Sequence, residues 1–231
     1  MIDKIEVMKM YEDVLKNNCD ITVNSGVDSS KLMYLRVPLN VLRLCWNEKD
    51  KAKEAYKNRL KNIDDVYGKG SKGQIQYYKV AEEEYKELIN VLQVNAKEAC
   101  RKSFNDIRSL LETHVITPMP VEISNQINYL KDYGRKLTDK ERELVITKCK
   151  NNYRAIKIIN EHYITPKLVL ISYEEMKNTL DEMERLILDC INDVIGEYKR
   201  RLVLYGEIEK SADDDLKVFF GVEKPADKIE N

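Results

Sequence analysis

The fold is decided by one long stretch, Tyr78 to Leu111, with the sequence YKVAEEEYKELINVLQVNAKEACRKSFNDIRSLL. Its apolar residues recur at steps of three and four, which places them along one side of an α-helix. No proline or glycine occurs from Gln74 to Thr117, so the pattern predicts one continuous helix, about 60 Å long at roughly 1.5 Å per residue. A helix of this length must cover its apolar stripe with another helix, from the same chain or from another copy.

A second long helix is expected immediately before it. Pro38 suits the first turn of a helix, and apolar residues then recur at helical spacing up to Tyr67. The glycine-rich segment 68–73 ends this helix, because glycine tolerates the left-handed conformation found at helix C-termini. Two amphipathic helices joined by such a turn predict an antiparallel helical hairpin. The segment also spells GxGxxG, but it follows a helix and not a strand, so we interpret it as a turn.

Shorter helices are expected after the hairpin. The segment 117–120 contains two prolines, and the residue before a proline is disfavoured in the α conformation, so the long helix should end there. Residues 121–133 predict a short amphipathic helix. Two capping boxes, Thr138 to Glu141 and Ser172 to Glu175, predict two further helix starts. We expect the last of these helices to continue to Tyr205.

The predicted fold is therefore mostly α. It consists of an elongated antiparallel helical hairpin, a small helical module and a long C-terminal helix. We divide the chain into an N-terminal helix with a short hairpin or loop (1–37), the long helical hairpin (38–117), a small basic helical module (118–165), the long C-terminal helix (166–210) and an acidic tail (211–231). Residues 21–37 leave open whether they form a short β-hairpin or a loop, since the strands would be very short.

The composition limits the function classes. Lys and Arg number 39 against 40 Asp and Glu, so no overall field attracts the chain to nucleic acid or to an anionic membrane. Five widely spaced cysteines with no CxxC pair are typical of a reduced cytosolic protein with buried thiols. No apolar run approaches the roughly 18 residues of a membrane span, and no signal-peptide core is present. We expect a cytoplasmic protein without a membrane partner.

Motifs for catalysis, cofactors and metals are not found. The two histidines, His114 and His162, lie near the ends of predicted helices and lack metal-ligand spacing. A histidine at a helix C-terminus is more often a partner of the helix dipole. The acidic pairs lie among lysines on helix faces, where i,i+4 pairing explains them. We therefore expect no enzyme, no cofactor and no metal.

One region concentrates positive charge. Residues 131–157 contain nine bases and four acids, with tyrosines interleaved. Such a module could contact phosphates, but no helix-turn-helix spacing is clear. We prefer a solvated face that complements the acidic tail and keep nucleic-acid binding as the alternative. The candidate contacts to nucleic acid or an acidic partner are Arg135, Lys136, Arg142, Lys148, Lys150, Arg154 and Lys157.

About half of the chain, from Tyr56 to Tyr163, resembles a known group of proteins. The resemblance rests on the segments 56–60 (YKNRL), 70–73 (GSKG), 119–120 (MP), 137–144 (LTDKEREL) and 151–156 (NNYRAI). It is to helix-rich proteins encoded in the structural-gene regions of phages and prophages of Gram-positive bacteria. Some of these are similar to scaffolding or head-assembly proteins. The resemblance implies a structural role in phage assembly and, for a phage-encoded chain, a location in the host cytosol.

These observations predict a non-enzymatic helical assembly or interaction protein, as in a phage scaffold, that self-associates or binds a protein partner by burying helix stripes. The expected interaction stripe comprises Tyr85, Ile89, Leu92, Ala96, Phe104, Ile107, Leu111, Leu180, Met183, Ile187 and Val194. The alternative is a nucleic-acid-binding or regulatory protein of a mobile element, including an inhibitor of a host protein, that uses the basic module.

Overall fold

The computed structural model describes residues 4–17, 35–134, 136–149, 152–162, 171–192, 212, 214–217 and 219–220. Its helices are α1 (Lys4–Asn17), α2 (Arg36–Tyr67), α3 (Lys72–Ile116), α4 (Val121–Tyr133), α5 (Asp139–Cys149), α6 (Tyr153–His162) and α7 (Tyr173–Asn192). Within these ranges every regular element is helical. The prediction of a mostly α protein is confirmed.

The predicted helical hairpin is formed by α2 and α3. The ring of Tyr56 stacks on that of Tyr85, and the ring of Tyr67 stacks on that of Tyr77, each with centroids 4.6 Å apart. Residue numbers therefore rise along α2 as they fall along the paired part of α3, which defines an antiparallel pair. The long helix is uninterrupted, as predicted, because its interior contains neither proline nor a helix-ending glycine.

The connecting turn is a compact, hydrogen-bonded structure. Gly68 and Gly70 adopt positive φ angles of 72° and 81°, a conformation that glycine adopts without steric cost. The hydroxyl of Ser71 accepts a hydrogen bond from the backbone N–H of Gln74 at 3.0 Å and caps the start of α3. The amide of Gln74 donates to the carboxylate of Asp64 on α2. The interpretation of the GxGxxG string as a turn is confirmed.

The beginning of α2 corrects one boundary. The two alternatives for residues 21–37, strand or loop, concern mostly residues outside the described ranges. The last two residues of the suggested second strand, Arg36 and Val37, are instead the first residues of α2. The N–H of Leu39 donates to the carbonyl of Leu35 at 3.2 Å and closes the first turn. Pro38 lies in this turn, as predicted, since its missing N–H has no intrahelical partner to lose there.

Contacts divide the chain into two compact units. The first contains α1, α2, α3 up to Phe104 and α7 from Glu184. In this unit α1 packs against α2, and the hydroxyl of Tyr11 on α1 donates to the carbonyl of Leu92 on α3 at 3.5 Å. Residues 7, 11, 45, 92 and 100 are buried, so the unit's core is shared among its helices.

The second unit contains α4, α5, α6, the rest of α3 and the first part of α7. In this unit Arg108 on α3 forms an ion pair with Asp181 on α7, with the closest N–O distance at 2.6 Å. The hydroxyl of Tyr173 donates to the carboxylate of Glu112 at 3.4 Å. The division into five parts that the sequence suggests stays a prediction.

The small module of the second unit has a core of its own. Helix α4 packs on both α5 and α6, and its Ile127 and Leu130 are buried. On α5 the side chain of Leu144 is 60% exposed, and that of Ile146 is buried. These two residues lie about 200° apart around the helix, so only one of them can face the core. The core consists of Ile127, Leu130, Ile146, Cys149, Ala155 and Ile159.

Both predicted capping boxes are present. The N–H of Thr138 donates to the carboxylate of Glu141 at 2.8 Å, and the N–H of Glu141 donates to the Thr138 hydroxyl at 3.3 Å. Ser172 and Glu175 make the same exchange at 2.7 and 3.2 Å. Each exchange satisfies two N–H groups that the helix leaves without partners. The expected continuation of α7 to Tyr205 lies outside the described residues.

Candidate interaction surfaces

The predicted interaction stripe lies inside the chain. Tyr85 is half-buried, Val194 is outside the described residues, and the other members are buried. The buried members are Ile89, Leu92, Ala96, Phe104, Ile107, Leu111, Leu180, Met183 and Ile187. The sequence pattern located the stripe correctly but could not show what covers it. Because the chain itself covers these side chains, they are not the surface that a second molecule would meet.

Three polar side chains hold the described end of α7 within the first unit. The indole N–H of Trp46 donates to the carbonyl of Cys190 at 3.2 Å. The ammonium of Lys49 donates to the carbonyl of Ile191, and the amide of Gln93 donates to the same oxygen at 3.3 Å. Sequence reasoning missed this cluster, because a lysine on α2 and a glutamine on α3 each look like part of a solvated helix face.

The thiol of Cys45 is buried near this cluster and is unreactive. Tyr11 and Cys45 are hydrogen-bonded to each other, and burial raises the pKa of the hydroxyl and of the thiol. Burial also raises the pKa of Cys149 in the second unit. A thiol that stays protonated is a poor nucleophile. The expected buried thiols are confirmed for Cys45, Cys100, Cys149 and Cys190, whose side chains are all buried.

His114 belongs to an aromatic cluster in the second unit. Its ring lies 5.5 Å from that of Phe219, 5.3 Å from that of Phe220 and 6.4 Å from that of Tyr153, between centroids. Burial lowers the pKa of His114, although a hydrogen bond with the Phe219 backbone opposes this. Burial therefore favours the neutral ring, and the interpretation of His114 as a partner of the helix dipole stays a prediction. The side chain of His162 lies outside the described structure.

The described ranges contain neither a metal-ligand cluster nor a membrane-spanning helix. Nowhere in them do three His, Cys, Asp or Glu side chains converge in a way that could hold a metal ion. None of the helices in these ranges is both long and apolar enough to cross a membrane.

The basic residues of the module serve different purposes. Arg142 forms an ion pair with Asp139 at 2.8 Å, and the Nε of Arg154 donates to the backbone carbonyl of Val115 at 3.2 Å. Both arginines therefore have contacts within the unit. The lysines at 136, 148 and 157 are exposed. Arg135 and Lys150 are outside the described residues.

One largely apolar row lies on the outer side of α4. Val121 is 70% exposed, Tyr129 45% and Tyr133 49%, and the rings of the two tyrosines are 5.3 Å apart between centroids. The row follows i,i+4 spacing through the exposed Asn125, on the side of the helix opposite the buried Ile127. Sequence reasoning missed this row because it sought the core stripe. We call Val121, Asn125, Tyr129 and Tyr133 the α4 outer row.

A second exposed apolar group surrounds the α2–α3 turn. Val66 is 72% and Ile75 64% exposed, and Tyr67 and Tyr77 are exposed beside them. Each of the four side chains lies within about two helical turns of Gly68 or Gly70. We call this group, with the turn that it flanks, the hairpin tip.

Comparison with known proteins gives no match. No protein-family model, no curated protein and no solved structure is significantly similar to this chain. The resemblance to phage structural proteins therefore stays a prediction.

Proposed function

We propose that this chain is a non-enzymatic helical interaction protein that self-associates through the α4 outer row. The observation that carries the proposal is the exposure of Val121, Tyr129 and Tyr133 on one side of a helix whose other side forms the module's core. Tyrosine is enriched in the centres of protein interfaces, where its ring supplies a large contact area with few rotatable bonds.

The spacing of the row suits a second copy of the same chain. In an antiparallel contact about a two-fold axis at the level of Ile127, Tyr129 of one copy lies opposite Asn125 of the second, and Val121 lies opposite Tyr133. Each large ring then meets a smaller side chain, and a two-fold contact pairs one surface with itself. The amide of Asn125 also offers a hydrogen-bonding group to the tyrosine hydroxyl.

The contact is small. A single helix row covers less than the roughly 800 Å² per partner of a standard interface. The proposed association is therefore weak and reversible, and its extent depends on the concentration of the chain.

The ionisable groups support a binding role rather than catalysis. The carboxylates with shifted pKa values in the described ranges, including Asp64, Glu84 and Glu141, are all shifted downward by hydrogen bonds or ion pairs. A downward shift keeps a carboxylate ionised at neutral pH, whereas a general acid needs a pKa raised toward the working pH. The ammonium of the buried Lys49 donates to the carbonyl of Ile191 on α7.

A phage structural or scaffold-like component is the setting that the sequence resemblance implies. Scaffold-like proteins must associate and separate again, and a small two-fold contact allows both. We therefore propose that the chain acts as such a component.

Cross-linking tests the proposed contact. Chains with Asn125→Cys are mixed with chains carrying Tyr129→Cys and treated with a short thiol cross-linker. We expect a mixed dimer, because the two positions face each other in the antiparallel contact. Val94→Cys is the matched control, since Val94 is also exposed but lies on α3 in the first unit. If the mixed sample gives no more dimer than the control or the unsubstituted chain, the α4 contact is wrong.

Nucleic-acid binding is the second candidate function. It is favoured by the exposure of the lysines at 136, 148 and 157 on one small module. Such contacts would neutralise phosphates and release counterions, so the affinity would fall steeply as salt rises.

A gel-shift series separates this candidate from the first. Lys148→Glu with Lys157→Glu should remove binding to duplex DNA or RNA at low salt. Arg154 is unsuited to the test because its substitution would also remove the contact with Val115. Binding that persists in the double variant, or a chain that gives no shift even at low salt, would exclude the basic module as a nucleic-acid site.

A further inference from the structure

We propose that Tyr67 and Tyr77 form a site of oxidative cross-linking, at which a one-electron oxidant of the peroxidase class joins the two rings by a carbon–carbon bond. This inference goes beyond the proposed function, since both residues belong to the first unit and the α4 outer row belongs to the second. It rests on three observations at the hairpin tip: the stacking of the two rings, their exposure, and the hydrogen-bonded turn that presents them.

The two rings present their faces to each other. Their centroids are 4.6 Å apart and their planes are inclined by 21°, and the hydroxyls of Tyr67 and Tyr77 share a hydrogen bond. A phenol that loses an electron and its hydroxyl proton carries the unpaired electron in its π system, including the ring carbons next to the oxygen. Two such radicals couple through their ring faces. The stack therefore holds the reacting faces together, and an oriented intramolecular pair reacts far faster than two separate phenols.

The coupling step balances in atoms and electrons. Each tyrosine gives one electron to the oxidant and its hydroxyl proton to water, and the two phenoxyl radicals form one bond between ring carbons next to the oxygens. The hydrogen on each of these carbons then leaves as a proton, and each oxygen takes up a proton again. Hydrogen peroxide receives the two electrons and two protons and is reduced to water. The cross-linked chain therefore lacks two hydrogen atoms.

Exposure distinguishes this pair from Tyr56 and Tyr85, whose rings are also stacked with centroids 4.6 Å apart. Tyr67 is 40% exposed and Tyr77 is 44% exposed, whereas Tyr56 and Tyr85 are half-buried. An exposed phenol meets the oxidant directly and releases its proton to water. The pair at the hairpin tip should therefore react first.

Stacking distinguishes the same pair from the tyrosines of the α4 outer row. Tyr129 and Tyr133 are exposed to a similar extent, but their centroids are 5.3 Å apart and their planes are inclined by 36°. Their faces are therefore less directly opposed. Tyr67 and Tyr77 combine the stacking of one comparison pair with the exposure of the other.

The turn keeps the two rings in place. The carboxylate of Asp64 on α2 accepts hydrogen bonds from the amide of Gln74 and the hydroxyl of Tyr78, both on α3. Gly73 leaves room for the ring of Tyr67, because a Cβ there would lie 2.9 Å from a ring carbon. The new bond would tie the last residue of α2 to the first turns of α3 and so fix the hairpin tip.

Treatment of the full chain with hydrogen peroxide and a haem peroxidase tests the proposal. We expect the fluorescence of coupled phenols and a cross-link between the tryptic peptides 62–69 and 73–79. Tyr67→Phe or Tyr77→Phe should abolish this cross-link, since phenylalanine keeps a ring but forms no phenoxyl radical. Tyr78→Phe changes the same peptide and should leave the cross-link intact, which assigns the bond to Tyr77. Circular dichroism checks that each variant folds.

Gly73→Ala separates the apposition of the rings from their exposure. It retains both phenols but displaces the ring of Tyr67, so the yield of the cross-link should fall about tenfold or more. Gln76→Ala, at an exposed position on the same helix, should give the yield of the unsubstituted chain. An unchanged yield in Gly73→Ala would overturn the proposal, because the stack would then not select the pair.

A mixture of unlabelled and isotopically labelled chains shows whether the bond lies within one chain. We expect cross-links only between two peptides that carry the same label. The proposal is overturned if the linked peptides mix labels, or if either comparison pair of tyrosines gives most of the coupled product. It is also overturned if the unsubstituted chain forms no cross-link between Tyr67 and Tyr77.

Discussion

The ring of Tyr67 stacks on the ring of Tyr77 across the α2–α3 turn, with centroids 4.6 Å apart and planes inclined by 21°. Gly73 makes this arrangement possible. A Cβ at that position would lie 2.9 Å from a ring carbon of Tyr67, which is closer than such atoms can approach. The glycines of the turn therefore have two separate roles, one for backbone conformation at Gly68 and Gly70 and one for space at Gly73.

Gly68→Ala should destabilise the chain through its backbone alone. Gly68 has φ 72° and ψ 149°, and a side chain there would touch nothing within 4 Å. This region of conformational space is almost exclusive to glycine, and the strain should cost about 1–3 kcal/mol. Urea unfolding would measure this loss of stability. Lys69→Ala, at the exposed neighbouring position, is the control, and its free energy of unfolding should stay within about 0.5 kcal/mol of that of the unsubstituted chain. Equal stability of the two variants would show that the turn adopts another conformation.

Lys49→Met should remove the ammonium that binds the end of α7. The carbonyl of Ile191 would lose a charged donor, and hydrogen bonds to charged groups contribute about 1.5–3 kcal/mol. Unfolding can be followed by the fluorescence of Trp46, the single tryptophan. Lys53→Met, on the exposed side of α2, should have little effect. A loss no greater than that of this control would mean that Lys49 contributes nothing to holding α7.

His114 should make stability depend on pH. Burial lowers the pKa of the folded His114 below its ordinary value, which is about 6.5, so the unfolded chain binds more protons in that range. The stability that His114 contributes is present above about pH 6.5 and is lost as the pH falls through the folded pKa. His114→Phe keeps a ring in the cluster but cannot titrate.

Denaturation of both chains between about pH 8 and about pH 5 measures the difference in their stability. This range lies above the pKa values at which carboxylates ordinarily titrate. The unsubstituted chain should lose stability on acidification more steeply than His114→Phe. His162 is present in both chains and cancels in the comparison. Parallel curves would show that His114 is solvated in the folded state.

Thr138→Ala should weaken the start of α5. It removes the hydroxyl that accepts the N–H of Glu141, and the loss of such a cap costs about 1 kcal/mol. Thr147→Ala on the exposed face of the same helix is the control for the change of residue type. Thermal denaturation compares them. If Thr147→Ala lowered the melting temperature as much as Thr138→Ala, the capping box would not be what stabilises the helix start.

Local signals predicted most of the fold. The spacing of Ile89, Leu92 and Ala96 predicted a buried helix stripe, and the glycines of the turn predicted the hairpin. The capping boxes fixed the starts of α5 and α7 within a residue, because the exchange of two hydrogen bonds depends only on residues three apart. These features are encoded within a few residues of where they act.

Features that depend on distant contacts could not be predicted. The lysine at 49 is buried only because the end of α7, far away in sequence, lies beside it. The α4 outer row differs from a core stripe only in what covers it, and the spacing of Val121, Tyr129 and Tyr133 contains no information on that.

The molecular mass in solution tests the central claim most directly. Sedimentation equilibrium over a concentration series should show the unsubstituted chain passing from monomer to dimer as concentration rises. Tyr129→Ser with Tyr133→Ser should remain monomeric over the same range, since it removes the rings of the α4 outer row. A monomeric mass for the unsubstituted chain at every concentration, or a dimer that this double variant leaves unchanged, would contradict the account.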